Sequence, residues 1–418
     1  WSITNNQDSR KIVTRLNNVF DILCNLQQLS TRVPEDARQA LQRRIAQLSM
    51  DYLYNTATMT HSMHQLEEAI NKLYEKGLYP LPDKSYTIKY KTFRKLISNK
   101  AGRYLRMKIL LIGEYSNVHN TLAKGLRLLG HKVTVMSNGD FWKNYPRDID
   151  MARCEGKLGG MALMAKTIAV MPRLRGYDVV QFINPMFLEL KAQRLFSIFD
   201  YLKKHNGKMV LCAFGMDYYW VNENRTRKPF RYGDFNIGET LRDTEDARKE
   251  IADWIGTEKQ RLNEKMAKEC DTIVAGLYEY LAIYEPLFPK KTEFIPFPIV
   301  CDDDTPTIEF HKDGEPIKIF IGINKSRSAY KGTDIMLKAA KEVESKYPDK
   351  LKITVVESVP FDEYRKMMMS CDAIVDQLYS YTPSMNPLEA MSHGLICIGG
   401  GEPENYEVLN ETELRPIV

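Results

Sequence analysis

Two stretches of this chain combine residue types that could hold a nucleotide. In "GINKSRSAYKGTD", Lys325, Arg327 and Lys331 follow an apolar run and precede a helix expected to start near Gly332 or Thr333. Cations beside a helix N-terminus suit a diphosphate, because unpaired backbone N–H groups and fixed positive charge meet the same anion. The segment also reads as a solvated basic loop. In "SYTPSMNPLEAMSHG", residues 380 to 394, Ser384, Met385 and Asn386 would offer backbone N–H groups at a second helix start. Glu389 falls about one turn inside that helix. A carboxylate there can accept hydrogen bonds from both hydroxyls of a ribose, or act simply as a partner of the helix dipole. Tyr381 stands eight residues earlier.

These residues need a scaffold, and the pattern from Met107 onward predicts one. "MKILLIGEYSN" reads as an apolar strand and turn, "VHNTLAKGLRLLGH" as a helix and "KVTVMS" as a second strand, which is a β-α-β unit with a parallel sheet. The alternation continues through "YDVVQFIN", "PMFLELKAQRLFSIFDYLKKHN" and "KMVLCAF". A charged insertion near 221 to 240 and a long helix to about 268 follow, then "CDTIVAG" and "KTEFIPFPIV". A second set runs from "PIKIFIGIN" through "LKITVVE", "FDEYRKMMMS" and "CDAIVDQL" to "LICIGGG". The expected fold class is α/β with two Rossmann-like domains, 107–300 and 301–418. In such sheets ligands bind beyond the carboxyl ends of the strands, where both stretches fall. By the same rule Glu114, Ser116, Asn117 and His119, in the turn "GEYSNVHN", would line a cleft in the first domain.

Residues 1–106 form a helical region with a basic linker. Apolar residues recur at three- and four-residue spacing in "SRKIVTRLNNVFDILCNLQQL" and again from Pro34, until Gly77 and the prolines of "GLYPLP" end the second helix. Residues 84 to 108 carry nine Lys or Arg and no acid, interleaved with Tyr, Phe, Leu and Ile. The segment reads as a solvated linker, as a peripheral anchor on an anionic membrane, or as an RNA-binding strip. His61 and His64 share a helix face near Glu67 and Glu68, but nothing distant completes a metal site, and none is expected.

Bulk properties narrow the class. The chain has 418 residues, 44% hydrophobic and 27% charged, enough for two or three soluble cores. A net charge of +5 does not imply nucleic acid. Seven scattered cysteines without a Cys-x-x-Cys pair argue for a reducing compartment, and no apolar run approaches a membrane span.

"GINKSRSAYKGTDIMLKA", followed by "CDAIVDQLYSYTPSMNPLEAMSHGLICIGGGEPE", resembles the donor half of retaining glycosyltransferases of family 4, with the GT-B fold and an architecture similar to glycogen synthases. Residues 107 to 418 fit that pattern, "FIPFPIV" included. The resemblance implies Lys331 and Gly332 at the donor diphosphate, with Lys325 or Arg327 as basic partner, and Glu389 on the ribose. The family's pair of glutamates becomes Tyr381 and Glu389 here. Tyr381 cannot offer a carboxylate to the donor sugar, but its hydroxyl can bond a sugar and its ring can pack on one. Gly215-Met216-Asp217 resembles the acceptor-side turn, with Asp217 orienting the reacting hydroxyl and Tyr218, Tyr219 and Trp220 stacking on sugar faces. An Asp cap with aromatic core residues fits the same segment.

The function so implied is transfer of a sugar from a nucleotide-sugar donor to a glycan or lipid-linked acceptor, with retention and without a metal or other cofactor. Bacterial surface or capsular polysaccharide is the expected product, made in the cytoplasm at the inner face of the plasma membrane. A GT-B sugar-nucleotide epimerase and a non-catalytic GT-B scaffold are the alternatives. The segment before Met107 is loosely similar to the helical tail of bacterial family 2 glycosyltransferases. On that similarity the natural protein is expected to be longer at its N-terminus, with two transferases in tandem, unless residues 1–106 are a plain accessory or oligomerisation segment. "NETELRPIV" stops where this fold should add another strand and closing helices, so the second domain is expected to be truncated as well.

Overall fold

The structure is a computed structural model that describes residues 9–60, 63–79, 81, 107–156, 158–301, 314–323, 328–357, 359 and 361–417. The chain divides into two compact units. One runs to Met107 and takes in Lys124–Lys132; the other comprises Lys108–Ala123 and Val133–Val418.

In the first unit, helices span Ser9–Ser30, Glu35–Thr60 and Met63–Glu75. Leu23, Met50, Leu53, Ile70 and Leu73 bury their side chains in a common core. The third helix ends at Gly77, whose φ of 66° lets the Leu78 N–H reach back to the Leu73 carbonyl. The second apolar-periodic segment is helical over Glu35–Thr60 and Met63–Glu75, on either side of residues 61 and 62, which lie outside the described residues. The basic segment lies outside the described residues except for its last two positions, and the side chains of His61, His64 and Glu67 lie outside them too.

The second unit holds two parallel sheets. In the first half, the strands are β1 (Lys108–Ile112), β2 (Lys132–Ser137), β3 (Ile149–Asp150), β4 (Val179–Phe182) and β5 (Lys208–Ala213). A small antiparallel hairpin pairs β6 (Asn236–Ile237) with β7 (Thr240–Leu241). Then come β8 (Thr272–Ala275) and β9 (Thr292–Phe294), and the sheet order is β3-β2-β1-β4-β5-β8-β9. In the second half, β10 (Ile317–Ile323), β11 (Leu351–Glu357), β12 (Ala373–Val375) and β13 (Ile396–Ile398) assemble as β11-β10-β12-β13. The strands are nearly continuous apolar runs because helices cover both faces; Leu110, Leu111 and Ile112 are wholly buried, as are Phe320, Ile321 and Ile374.

The direction of strand progression reverses between β1 and β4 in the first sheet and between β10 and β12 in the second. Each reversal opens a crevice at the carboxyl edge. The two edges face each other. Met385, from beyond β12, packs into a cluster with Val118, Ile183, Cys212 and Phe214, which follow or end strands of the first sheet. The Tyr145 ring meets Phe361 at 5.3 Å, edge to face. Two doubly wound sheets with opposed carboxyl edges are the GT-B arrangement.

The long helix expected to end near 268 is two, Glu245–Trp254 and Glu258–Glu269. Gly256 adopts a φ of 74° and the Thr257 side chain caps the second, so one periodic pattern spans a break. Among the described residues no helix is long and apolar enough to cross a membrane.

Candidate functional site

The crevice of the second sheet collects the polar groups of three elements. Asp376 follows β12 directly. Burial pushes its carboxyl up, while nearby Lys331 and the Asn386 amide pull it down. Lys331 ends the short Ser328–Lys331 helix, and its carbonyl accepts the Leu378 N–H at 3.0 Å, which ties the two loops of the crevice together. Gly332 comes next with a φ of 72°, and a Cβ there would lie 2.8 Å from Leu378 Cβ and 2.9 Å from the Tyr379 ring. Both the left-handed backbone and the close approach require glycine. The helix Thr333–Lys346 then points its first N–H groups into the same region. Lys325 and Arg327 lie outside the described residues.

Glu389 sits on the Met385–Ser392 helix, where Ser384 is the cap residue without a side-chain cap bond. Its Oε1 receives Arg365 Nε at 2.9 Å and faces His393 Nε2 at 3.2 Å, and Arg365 Nη2 lies 3.0 Å from the same histidine nitrogen. Across the cleft, Tyr145 is buried. Burial and the charges of Asp140, Glu114 and Glu389 all push its hydroxyl up. Lys331, Gly332, Ser384, Asn386 and Glu389 therefore share one crevice with Asp376, Arg365 and Tyr364, whose hydroxyl bonds the Asn386 side chain. Asp376 could have been noticed in sequence, as an acid ending a buried strand at a switch point. Arg365 carried no local signal.

The first-sheet positions are arranged otherwise than expected. His119 is wholly buried. Its Nδ1–H donates to the Gly113 carbonyl at 2.8 Å, so Nε2 accepts from the Gln181 amide at 3.1 Å, and desolvation lowers its pKa to about 4. It is a neutral internal brace, not a cleft contact. Glu114 accepts the N–H groups of His119 and Asn120 at 3.1 and 2.8 Å, and burial raises its carboxyl to about 8. Ser116 is exposed and donates its N–H to Asp140 at 2.8 Å; Asn117 accepts from the Asn120 amide.

Asp217 is wholly buried as well. It caps the Tyr218–Thr226 helix by accepting the Trp220 N–H at 2.8 Å, and its other oxygen takes the Tyr284 hydroxyl at 2.7 Å. Burial raises it to about 6. With both oxygens engaged away from solvent, it has the geometry of the structural cap rather than of an acceptor contact. Trp220 donates Nε1–H to Asp234 and packs on Tyr280, while the Tyr218 ring meets Tyr219 edge to face. Tyr219 is buried and Tyr218 and Trp220 are half-buried, so these aromatics are packing.

Tyr381 gives the largest departure. It is only 2% exposed, and its hydroxyl accepts the Arg231 N–H at 2.7 Å. Phe230, Tyr232 and Tyr278 from the first half surround the ring at 5.4, 5.0 and 5.9 Å, with the Arg231 guanidinium over it at 4.9 Å. Arg231 also pairs with Glu402 and Glu404, and Tyr232 donates to Glu402. Tyr381 is thus an anchor between the halves, and no part of it is left for a sugar. Sequence reasoning missed these partners because they are remote along the chain: Phe230, Arg231 and Tyr232 lie in the charged insertion, about 150 residues away, and Tyr278 lies on a helix after β8.

No known protein family and no curated protein matches the chain. Among solved structures it is similar to S. aureus MnaA in a co-structure with UDP, at 10% identity over 73% of this chain and 82% of that one, with a TM-score of 0.41. It is similar to UDP-GlcNAc 2-epimerase from Methanocaldococcus jannaschii at 11% identity over 75% and 88%, TM-score 0.39. A Streptomyces glycosyltransferase complexed with thymidine diphosphate gives 12% over 73% and 85%, TM-score 0.31. At these levels neither a residue role nor an activity passes from those proteins to this chain. Among the described residues there is no group of three or more His, Cys, Asp or Glu that could hold a metal ion.

Proposed function

We propose that the chain binds a nucleotide sugar in the crevice of the second sheet and transfers the sugar to a glycan or lipid-linked acceptor. The observation that carries this reading is the convergence there of Glu389, held by Arg365, with the Lys331–Gly332 turn and two helix starts. Arg365 and His393 both meet the Glu389 carboxylate at Oε1, and Oε2 is the atom we assign to the ribose hydroxyls. The bond broken is that between the sugar's anomeric carbon and the diphosphate. Charge builds on the departing diphosphate, and Lys331 and the first N–H groups of the Thr333–Lys346 helix are suited to meet it. The acceptor hydroxyl oxygen forms the new bond from the first-half side and gives its proton to the departing diphosphate. Retention of configuration, a surface polysaccharide as product and work at a membrane face belong to the same proposal through the resemblance to family 4.

One observation favours a second reading, nucleotide-sugar binding without transfer. Tyr381 and Asp217 are both taken up by internal contacts, which removes the two positions expected to act on donor sugar and acceptor. Incubation with a panel of nucleotide sugars separates the two. Transfer requires release of nucleoside diphosphate that rises with added acceptor. Binding detected by calorimetry without any release supports the second, and absence of binding to every nucleotide and nucleotide sugar tried overturns both.

A further inference from the structure

The segment that leads into the Glu389 helix is held chiefly from the opposite half. Glu279 lies in the first turn of the Tyr278–Tyr284 helix, which follows β8 in the first sheet. It is 6% exposed. Its Oε1 accepts the Tyr381 N–H at 2.7 Å and the Thr382 N–H at 3.2 Å, with the Ser380 hydroxyl at 3.4 Å. Its Oε2 accepts the Thr382 hydroxyl. Three donors from two consecutive residues, the Tyr381 N–H, the Thr382 N–H and the Thr382 hydroxyl, therefore converge on one buried carboxylate of the other half, while the Ser380 hydroxyl beside it donates to the Thr382 carbonyl at 2.7 Å.

We propose that Glu279 is a positioning residue for this loop: through it the first half sets the conformation of residues 380–382, and so the placement of the helix that bears Glu389. The inference rests on the nucleotide reading of that helix for its functional part and on hydrogen bonding alone for its structural part.

Three features make the contact directive rather than incidental. A buried carboxylate needs hydrogen-bond donors, and the loop supplies both oxygens at once, so the two groups specify each other's position. Second, the chain from Thr382 to the helix is only Pro383 and the cap residue Ser384, too short to absorb a shift. Third, Tyr381 is fixed at both ends, by its N–H to Glu279 and by its hydroxyl to the Arg231 N–H. The loop's own half adds the Glu402 N–H to the Tyr381 carbonyl at 3.1 Å, and Gly400 passes so near Ser380 that a Cβ would lie 2.6 Å from its oxygen. That side lets the loop approach and donates one bond to it, while Glu279 takes the loop's donors.

Consequently the first half, which makes no assigned contact with the nucleotide, should govern nucleotide affinity. The test uses Glu279→Ala, Glu279→Gln and Thr382→Val in the full chain, with two readouts. Hydrogen exchange at the Tyr381 and Thr382 amides needs no ligand. In Glu279→Ala these amides should exchange at least tenfold faster, while Phe320 and Ile374 in the second sheet keep wild-type rates. Thr382→Val, which removes one donor and leaves the carboxylate, serves where Glu279→Ala does not fold, and should speed exchange at Thr382 by a smaller factor. Unchanged protection at both amides in every folded variant overturns the proposal. The second readout is calorimetry with uridine, guanosine, adenosine, cytidine and thymidine diphosphates. For the one that wild type binds, Glu279→Ala should weaken affinity about tenfold, with Glu279→Gln between the two, because it keeps one acceptor oxygen. Faster exchange with wild-type affinity overturns the functional part. Should wild type bind none of the five while the two amides respond as described, the nucleotide reading fails and Glu279 still stands as the residue that fixes the loop.

Discussion

Glu279 receives the Thr382 N–H on one carboxylate oxygen and the Thr382 hydroxyl on the other, although the two residues belong to opposite halves of the α/β unit. Arg231 crosses the same boundary to Glu402 and Glu404, but its side chain is 55% exposed. The two contacts should differ sharply in energetic weight. Exposed ion pairs contribute about 0.2–1 kcal/mol. Removing a buried acceptor strands its donors at about 1–3 kcal/mol each. Urea denaturation should therefore rank Glu279→Ala as several times more destabilising than Arg231→Ala. Equal midpoints for the two variants would show that the salt bridges, not the carboxylate, hold this seam.

Gly332→Ala should be costly for two separable reasons. Left-handed backbone costs a non-glycine residue about 1–2 kcal/mol. Gly314 has a φ of 88° and nothing within 4 Å of an added Cβ, so Gly314→Ala carries the backbone strain alone. At Gly332 the Cβ also meets Leu378 and Tyr379 below 3.0 Å. Overpacking of that kind adds about 1–3 kcal/mol. The difference between the two variants in denaturant midpoint measures the steric part, and a difference near zero would mean the loop at 378–379 moves aside freely.

Much of the scaffold was legible because its signals are local. Parallel strands buried on both faces read as short apolar runs, and "KILLI", "MVLCA" and "IKIFIGI" all fall within strands of the structure. The breaks were less legible. Gly256 and Thr257 stop one helix and start another without disturbing the apolar period. The candidate site divided the same way. Glu389, Gly332 and Asn386 lie within two continuous motifs. The partners that define Tyr381, Arg231 and Glu279, stand 150 and 102 positions away. No spacing rule links them; only the opposed carboxyl edges of two sheets bring them together. Asp217 and His119 misled for a related reason, since polar residues at strand ends serve as caps and braces as readily as ligands.

His119 should make the fold sensitive to acid. Its pKa is lowered from 6.5 to about 4 because protonation would place a charge in a desolvated site. Such a group binds protons more tightly in the unfolded chain, so its contribution is intact above the unfolded pKa and is lost as pH falls toward about 4. Between pH 7.5 and pH 5 the loss should be about 2 kcal/mol. His119→Gln cannot titrate, and the stability difference between wild type and this variant should shrink by that amount over the interval. A difference independent of pH would mean that the imidazole accepts a proton without leaving its site.

Tyr381 and Glu389 should separate under mutation, and along a line set by their contacts. Tyr381→Phe keeps the ring among Phe230, Tyr232 and Tyr278 but removes the acceptor of the Arg231 N–H. An unpaired buried N–H costs about 1–3 kcal/mol, so the effect should appear in stability. No direct effect on nucleoside diphosphate affinity or sugar choice is expected, since the hydroxyl faces Arg231 and not the crevice. Glu389→Ala removes the carboxylate proposed for the ribose. Losing charged hydrogen bonds should weaken nucleoside diphosphate binding by about 1.5–3 kcal/mol, with a smaller change in stability because Arg365 is partly exposed and can turn to water. Calorimetry and urea denaturation on both variants fill a two-by-two comparison. Weakened binding at wild-type stability in Tyr381→Phe would put that hydroxyl back at the donor sugar. Unchanged nucleotide affinity in Glu389→Ala would leave Arg365 and His393 as its whole function.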